Sequence, residues 1–196
     1  MKNILNIFYA IIVAVFCIQS SFAQATKAEK KAEKIAELKR LITSKSYVFQ
    51  ARMAMPMASN ASVQVSGALM PNMGNVINDS SVPLTSSYDL KLSNDTLTAY
   101  LPYFGVAYSA PAPGTTEGGV KFTSTKFDYK VTEKKNGTFE IFFKPLDLQP
   151  RAPSDVQRMT LSVSEGGYAS LQITLLNRQP ITFTGSLGEV KLKPLL

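Results

Sequence analysis

The chain has 196 residues, a formal net charge of +7, no histidine and one cysteine. Hydrophobic residues at 45% and charged residues at 18% are typical of a globular domain with its own core, and they argue against a disordered chain. The lack of histidine excludes Ser-His-Asp and Cys-His catalytic arrangements and any zinc site that uses imidazole ligands.

The first 23 residues have the features of a cleavable signal peptide. Lys2 supplies a positive charge, Ile4–Ile18 form an apolar run, and small residues stand at Ser21 and Ala23, where the signal peptidase recognises its substrate. We therefore predict export to the periplasm or cell envelope, with cleavage after Ala23. A membrane anchor is the alternative, but the apolar run is shorter than the ~20 residues that span a bilayer, and no integral span is expected after cleavage.

Cleavage would also remove Cys17, the single cysteine of the chain. Lipidation of Cys17 is not expected, because the bulky Phe16 precedes it where a lipoprotein has a small residue. Since the mature chain would then lack thiol and imidazole groups, we predict a protein that is not an enzyme and uses no cofactor. A glycoside hydrolase needs only two carboxylates. This class is a distant alternative, because the 14 acidic residues are scattered along the chain and mostly alternate with strand residues.

Residues 24–46 are predicted to form an amphipathic helix that precedes a β domain over residues 47–196. Thr26 and Glu29 match a capping box. Apolar side chains recur at helical spacing, at Ala28, Ala32, Ile35, Leu38 and Ile42. We expect the C-terminal half of this helix to pack, with a basic tether to the envelope as the alternative. Most of the excess positive charge lies in this segment, so no nucleic-acid partner is predicted.

From Tyr47 onward the apolar residues alternate with polar ones, which predicts strands. The first strand is predicted to present one inward row, Tyr47, Phe49, Ala51, Met53, Met55 and Met57, which Val63, Val65 and Leu69 continue. A long loop is predicted over Met70–Thr85. A hairpin with the turn "SND" at Ser93–Asp95 follows, and its predicted inward residues are Tyr88, Leu90, Leu92, Leu97, Ala99 and Leu101.

The second half of the chain shows the clearest alternation. "KNG" at Lys135–Gly137 and "EGG" at Glu165–Gly167 predict hairpin turns. The predicted inward residues are Phe127, Tyr129, Val131, Phe139, Ile141, Phe143, Met159, Leu161, Val163, Leu171, Ile173, Leu175, Ile181, Phe183 and Leu187. Eight to ten antiparallel strands favour an up-and-down meander that closes into a barrel, because closure removes exposed strand edges. A two-sheet sandwich is the alternative.

The stretch "SNDTLTAYLPYFGVAYSAPAPGTTEGGVKF" at Ser93–Phe122, with the later "FDYKV" and "EIFF", resembles the domain of unknown function 4251 family. Members of that family are exported proteins of Gram-negative anaerobic bacteria. The resemblance covers nearly the whole chain after the signal peptide. It implies a periplasmic or cell-envelope location and a small, mostly-β barrel similar to lipocalin-like folds. It implies no activity, and it provides no catalytic residues.

The aromatic part of this stretch is the candidate binding site. Pro102 and Gly105 favour a strand end and a turn, so the rings are expected to pack at the barrel rim. On the functional interpretation, residues 106–119 form a lid over the barrel mouth, and the lining side chains are Tyr100, Tyr103, Phe104 and Tyr108. Such a site would take a small apolar or amphipathic ligand. A cell-envelope protein is the alternative partner, bound by a barrel with a solid core.

Methionine is concentrated near the first strand. Five methionines fall within 21 residues: Met53, Met55, Met57, Met70 and Met73. Thioethers can bind Cu(I), but they are also flexible fillers of irregular cores. The alternation of the first three indicates a core row, and no metal site is predicted.

A weak modification signal lies at the first hairpin. "DTL" at Asp95–Leu97 resembles an acceptor sequence for bacterial O-glycosylation, which would place a glycan on Thr96. Asp95 is equally explained as an ordinary turn residue. We favour the turn and keep modification of Thr96 as the alternative.

Overall fold

The structure, a computed structural model, describes residues 29–56, 81–108, 118–149 and 154–190. Within these ranges one helix, α1, covers residues 29–43. Nine strands follow: β1 (Ser46–Pro56), β2 (Val82–Ser93), β3 (Thr96–Leu101), β4 (Val120–Ser124), β5 (Phe127–Glu133), β6 (Phe139–Pro145), β7 (Val156–Val163), β8 (Tyr168–Leu175) and β9 (Ile181–Glu189). The prediction of a mainly-β chain with one N-terminal helix is confirmed.

The chain divides into two units, Met1–Lys39 and Arg40–Leu196. The described part of the first unit is helical, and Leu38 within it is buried. The second unit contains the end of α1 and the nine described strands. Across the described ranges, no helix combines the length and hydrophobicity that crossing a bilayer requires. The predicted signal peptide, its cleavage position at Ala23 and the capping residue Thr26 lie outside the described residues.

The described strands form a single sheet in the order β4-β3-β2-β1-β9-β8-β7-β6-β5. Every neighbouring pair is antiparallel, so β4 and β5, at opposite ends of this order, run in the same direction. Only Thr125 and Lys126 separate these two strands. They are therefore two halves of one bent strand, which pairs first with β3 and then with β6. The sheet is a nearly closed meander barrel rather than the alternative sandwich.

The inward faces of the strands supply the core. Fully buried aromatic rings come from β1, β6 and β9: Tyr47, Phe49, Phe139, Phe143 and Phe183. The predicted inward rows of β3, β6, β7 and β8 are all buried. The tight turns are confirmed too, because Asn94, Gly137 and Gly167 have φ values of 54, 80 and 77°. Such angles favour Asn and Gly, as the hairpin signals require.

The prediction of an inward methionine row on β1 is wrong for Met53 and Met55. The pairing of β1 with both neighbours shifts between Ala51 and Met53. Relative to β9, β1 has one extra residue at this position, so the side chains of β1 beyond the bulge change faces. Ala54 is completely buried, whereas Met53 and Met55 are 39% and 41% exposed. Met57, Met70 and Met73 lie outside the described residues.

Four smaller features also differ from the prediction. α1 ends at residue 43 instead of 46, and β2 begins at Val82, inside the predicted loop. β4 was not predicted, although Val120 and Phe122 alternate with Lys121 and Thr123. On β5, Val131 is exposed instead of inward, because this strand forms one end of the sheet order. The predicted inward residues Val63, Val65 and Leu69 lie outside the described part.

Candidate functional site

The aromatic loop, residues 102–108, is bound to the connection between β8 and β9. The Tyr108 amide donates to the Asn177 carbonyl at 2.8 Å, and the Gln179 amide donates to the Val106 carbonyl at 3.0 Å. Ala107 and Arg178 form a short antiparallel bridge between these bonds. The loop therefore extends the sheet hydrogen bonding beyond the end of β3. Residues 109–117, most of the predicted lid, lie outside the described part of the chain.

Tyr103 organises this loop. Its hydroxyl lies 3.1 Å from the Val106 carbonyl and 3.0 Å from the Gln179 carbonyl, and its one proton is shared between them. Burial raises the pKa of Tyr103 to about 12, although the Arg178 guanidinium acts in the opposite direction. A Cβ at Gly105 would lie 2.6 Å from the Tyr103 hydroxyl oxygen, so a side chain there would displace this hydroxyl from its two carbonyl partners. Tyr103 thus holds the loop against the connection between β8 and β9 through its hydroxyl.

A buried ion pair lies beneath the loop. Nε and Nη2 of Arg178 donate to the Asp155 carboxylate, and both residues are almost fully buried, at 4% and 0% exposed. Nη1 of Arg178 donates to the carbonyls of Gly118 and Gly119 at 2.9 and 3.0 Å. The guanidinium also lies 4.5 Å from the centre of the Tyr103 ring. One side chain therefore connects the aromatic loop with the starts of β4, β7 and β9.

The other predicted lining residues have different environments. Phe104 is partly buried, whereas Tyr108 is 68% exposed. Tyr100 lies on the outer face of β3, between the buried Ala99 and Leu101. Its ring stacks on Tyr88 at 5.7 Å, with the Lys121 ammonium 4.8 Å away. The Tyr103 ring contacts Arg178, whereas the Tyr100 ring lies on the outer face of β3. These two rings therefore do not line one common site.

A second cluster lies near the start of β1, at the end of that strand farther from Arg178. The last residue of β1, Pro56, pairs with Ile181, which is three residues after Arg178 in the chain. Near the start of β1, the Tyr47 and Tyr129 hydroxyls are 3.3 Å apart. The Tyr129 hydroxyl also reaches the carbonyl of Ile42 at 3.5 Å. Burial raises the pKa of both phenols, so both remain protonated and neutral.

A groove of about 460 Å³ crosses the outer faces of β1, β9, β8 and β7. We call it the hydroxyl groove. Ser162 pairs with Ser170, and Ser170 pairs with Thr184, so these side chains form a row across three strands. The described lining residues are Arg52, Met53, Thr138, Ser162, Ser164, Tyr168, Ala169, Ser170, Thr184 and Gly185. This concave surface lies on the outside of the barrel.

The remaining sequence-based candidates concern modification and metal binding. Thr96 is the first residue of β3 and is partly buried. Its glycosylation stays a prediction. Among the described residues, no group of three or more His, Cys, Asp or Glu side chains is arranged to hold a metal ion.

A family model for DUF4251, a domain of unknown function, matches residues 29–187. The chain belongs to the DUF4251 family. A DUF4251 family protein from Bacteroides eggerthii DSM 20697, whose crystal structure was determined at 1.95 Å resolution, is 18% identical to it, with a TM-score of 0.50. The similarity covers 81% of this chain and 89% of that chain, and at this identity it supports the fold alone. A comparison with curated proteins gave no match.

Two features of this DUF4251 chain were missed by sequence reasoning. Asp155 and Arg178 stand in short polar connections, and nothing in those connections indicates that they pair across 23 positions. The hydroxyl groove left a weak signal, because Ser162, Ser170 and Thr184 are small and uncharged where outward strand positions commonly carry charge. The alternation that identified the strands contained this signal, but only the strand register brings the three residues together.

Proposed function

We propose that the chain is an exported, non-enzymatic β-barrel protein of the periplasm or cell envelope that binds another molecule through its outer surface. The observation that carries this proposal is the occupied interior. Phe49, Phe143 and Phe183 are completely buried inside the barrel. The Arg178–Asp155 pair and the Tyr47–Tyr129 pair lie near opposite ends of β1. A barrel packed in this way favours recognition on its exterior over binding in its interior.

The composition and the environment of the acids support a non-enzymatic role. The chain has no histidine, and Cys17 belongs to the proposed signal peptide. Asp155 is engaged by a buried arginine, and Asp147 by backbone amides at the β4–β5 corner. These two carboxylates therefore have structural roles and are poor candidates for acid-base work in a glycoside hydrolase.

The exported location is tested by sequencing the N-terminus of the protein isolated from its own host. The proposal requires the mature chain to begin at Gln24, with residues 1–23 absent. A chain that keeps residues 1–23, or one with lipid attached to Cys17, would contradict it. Loss of the segment would remove the apolar run Ile4–Ile18 from the mature protein.

Binding is tested by native mass spectrometry of the protein purified from that host. The proposal requires a second mass, either a small molecule or a partner protein, that survives gentle ionisation. Recovery of the bare chain alone, from extracts prepared with and without mild crosslinking, would contradict surface recognition. No nucleic acid is expected among the bound species, because the positive charge is concentrated near α1.

A second candidate is a small apolar or amphipathic ligand at the aromatic loop. The exposure of Tyr108 favours it, since a 68% exposed ring beside a rigid framework is available for contact. Tyr108→Ala should release such a ligand from the purified protein without lowering the melting temperature. An unchanged bound mass in this variant would exclude the loop as its site.

A further inference from the structure

We propose that β5 is a dimerisation strand, which pairs antiparallel with β5 of a second copy of this chain, with Tyr129 on the two-fold axis. This inference goes beyond the proposed function and does not depend on it. β5 ends the sheet order, and β6 is its only partner among the described strands. An edge strand of this kind exposes backbone groups that another strand can bind.

The hydrogen bonds at the two ends of β5 show which of its residues face β6. The Leu146 amide donates to the Lys126 carbonyl, and the Lys134 amide donates to the Thr138 carbonyl, each at 2.8 Å. In an antiparallel pair, residues that bond to the neighbouring strand alternate with residues whose N–H and C=O point the other way. The even-numbered positions from 126 to 134 therefore bond to β6.

The odd-numbered positions of β5 direct their backbone groups away from β6. Phe127 lies opposite Pro145, which has no N–H, as this alternation requires. Tyr129 and Val131 continue the outward series. Within the described part of the chain, no backbone group bonds to the outward N–H and C=O of these three β5 residues. β5 thus presents three donor–acceptor sets along one edge.

The side chains of β5 are self-complementary about Tyr129. A two-fold axis at this residue places Asp128 of each copy opposite Lys130 of the other, and Phe127 opposite Val131. Asp128 and Lys130 would occupy non-hydrogen-bonded positions, where side chains of two strands are closest. Moving the axis by one residue would place either two aspartates or two lysines opposite each other. The charges therefore select the register that is centred on Tyr129.

These side chains are available for contact with a second copy. Asp128 and Lys130 are exposed, and neither forms a salt bridge in the part of the chain that the structure describes. Val131 is 37% exposed although it belongs to the apolar row of β5, and Phe127 is only partly buried. A second copy satisfies the backbone groups, the charges and the apolar row together, whereas an unrelated strand would match the backbone alone.

The test is sedimentation equilibrium of the purified protein over a range of concentrations. We expect a dimer that forms between about 1 µM and 1 mM and dissociates on dilution, because one pair of strands is a small interface. The mass should approach that of two chains and stop there, since pairing uses the free edge of each copy. The mass of a single chain at every concentration up to about 1 mM would overturn the inference.

Two charge reversals test the register. Lys130→Glu and Asp128→Lys each replace both attractive pairs by like charges, so each variant alone should dimerise at least about tenfold more weakly. An equimolar mixture of the two variants should regain the parent affinity, because every carboxylate then lies opposite an ammonium group. Both side chains are exposed, so the melting temperatures should remain that of the parent. A mixture that associates no better than its components would overturn the register.

Arg158→Glu is the matched control. It makes the same change in net charge as Lys130→Glu, at an exposed residue of β7, which has a neighbouring strand on each side. This variant should dimerise like the parent protein. Equal weakening by Arg158→Glu and Lys130→Glu would show that dimerisation responds to net charge and not to pairing at β5.

Amide hydrogen exchange tests whether β5 itself lies in the interface. The Val131 amide points outward in one copy and would bond to the Phe127 carbonyl of the other in the proposed pairing. We expect its exchange to slow at least about tenfold between the monomeric and the dimeric concentration. A dimer in which the Val131 amide exchanges as fast as in the monomer would place the interface elsewhere and overturn the inference.

Discussion

The Arg178–Asp155 pair shows how much one buried residue can determine. Asp155 is completely buried, and its carboxylate is compensated by the Arg178 guanidinium. The same guanidinium satisfies the carbonyls of Gly118 and Gly119. Removal of one partner from a buried ion pair leaves an uncompensated charge, which costs far more than the pair contributes when intact. The arrangement of the aromatic loop therefore depends on a pair outside the loop.

We predict that Asp155→Ala lowers the free energy of unfolding by about 3–5 kcal/mol, because it removes the carboxylate that compensates the buried Arg178 guanidinium. The matched control is Glu140→Ala. Its partner is Lys134, and both side chains are substantially exposed. Loss of that pair should cost about 0–1 kcal/mol. Urea unfolding of the two variants measures both values, and similar costs would show that the Asp155 charge is not effectively buried.

Asp147 has a different role, at the bend between β4 and β5. Its carboxylate accepts hydrogen bonds from the buried Ser124 hydroxyl and from the amides of Thr125 and Lys126. These bonds, that from Ser124 first, lower the pKa of Asp147 from 3.8 to about 2. A carboxylate that accepts several hydrogen bonds favours its charged form. Asp147 thus holds the two-residue bend that lets one strand serve both edges of the sheet.

The lowered pKa of Asp147 predicts a loss of stability in acid. Since the folded chain binds this proton less readily than the unfolded chain, the contribution is complete above pH 3.8 and disappears as the pH falls toward about 2. Asp147→Asn should therefore flatten the dependence of unfolding free energy on pH in this window. Chemical denaturation between pH 5 and 2 measures it. If the unfolding free energies of the parent and the variant change with pH in the same way, the role assigned to Asp147 is contradicted.

At the scale of elements, the bulge in β1 has consequences on both faces of the sheet. It changes the faces of Met53 and Ala54, and it brings the backbones of β1 and β9 close together at Gly185. A Cβ at position 185 would lie 1.9 Å from the Gln50 carbonyl oxygen. Glycine is required at position 185 because the backbone of β1 comes so close that no side chain fits between the two strands.

Gly185→Ala should destabilise the barrel by at least about 1–3 kcal/mol, since a backbone carbonyl cannot move aside as a flexible side chain can. Gly188, on the same strand, is the matched control, because a Cβ there would meet no atom within 4 Å. Gly188→Ala should be neutral or stabilising by up to about 1 kcal/mol. Thermal melts of the two variants compare them directly. Equal tolerance would mean that β1 and β9 can separate at the bulge without cost.

At the scale of the whole molecule, the core of the barrel unit contains aromatic rings of neighbouring strands that contact one another. Phe143 on β6 lies 5.4 Å from the Tyr129 ring and 6.5 Å from the Phe127 ring, both on β5. It is completely buried, and the adjacent Phe142 lies on the opposite, partly exposed face. The two neighbours therefore differ in environment although they share one residue type.

Phe143→Ala should lower the free energy of unfolding by about 3–5 kcal/mol, because it leaves a cavity in the core. Phe142→Ala should cost about 1 kcal/mol, since its ring is only partly removed from water. Far-UV circular dichroism and tyrosine fluorescence should report coincident transitions if the barrel unfolds as one cooperative unit. Separate transitions by the two probes, or equal costs at positions 142 and 143, would contradict a single barrel core.

Much of the fold follows from local pattern. Alternation with a period of two identified most strands, and turn residues with positive φ identified the hairpins at Asn94, Gly137 and Gly167. These signals can be detected in the sequence because each depends on the geometry of a few consecutive residues. The bulge in β1 has no such signal, since its effect comes from pairing with β2 and β9. The inward assignment of Met53 and Met55 failed for that reason.

The sequence by itself determined the fold class, the hairpin order, the family resemblance and the catalytic chemistries that the composition excludes. Only the tertiary structure decided which rings face inward, that Arg178 pairs with Asp155, and that Ser162, Ser170 and Thr184 form one surface with Tyr168. The physical reason is the range of the interactions. Side-chain alternation and turn angles arise within a few bonds, whereas burial and cross-strand register depend on segments that meet only when the barrel closes.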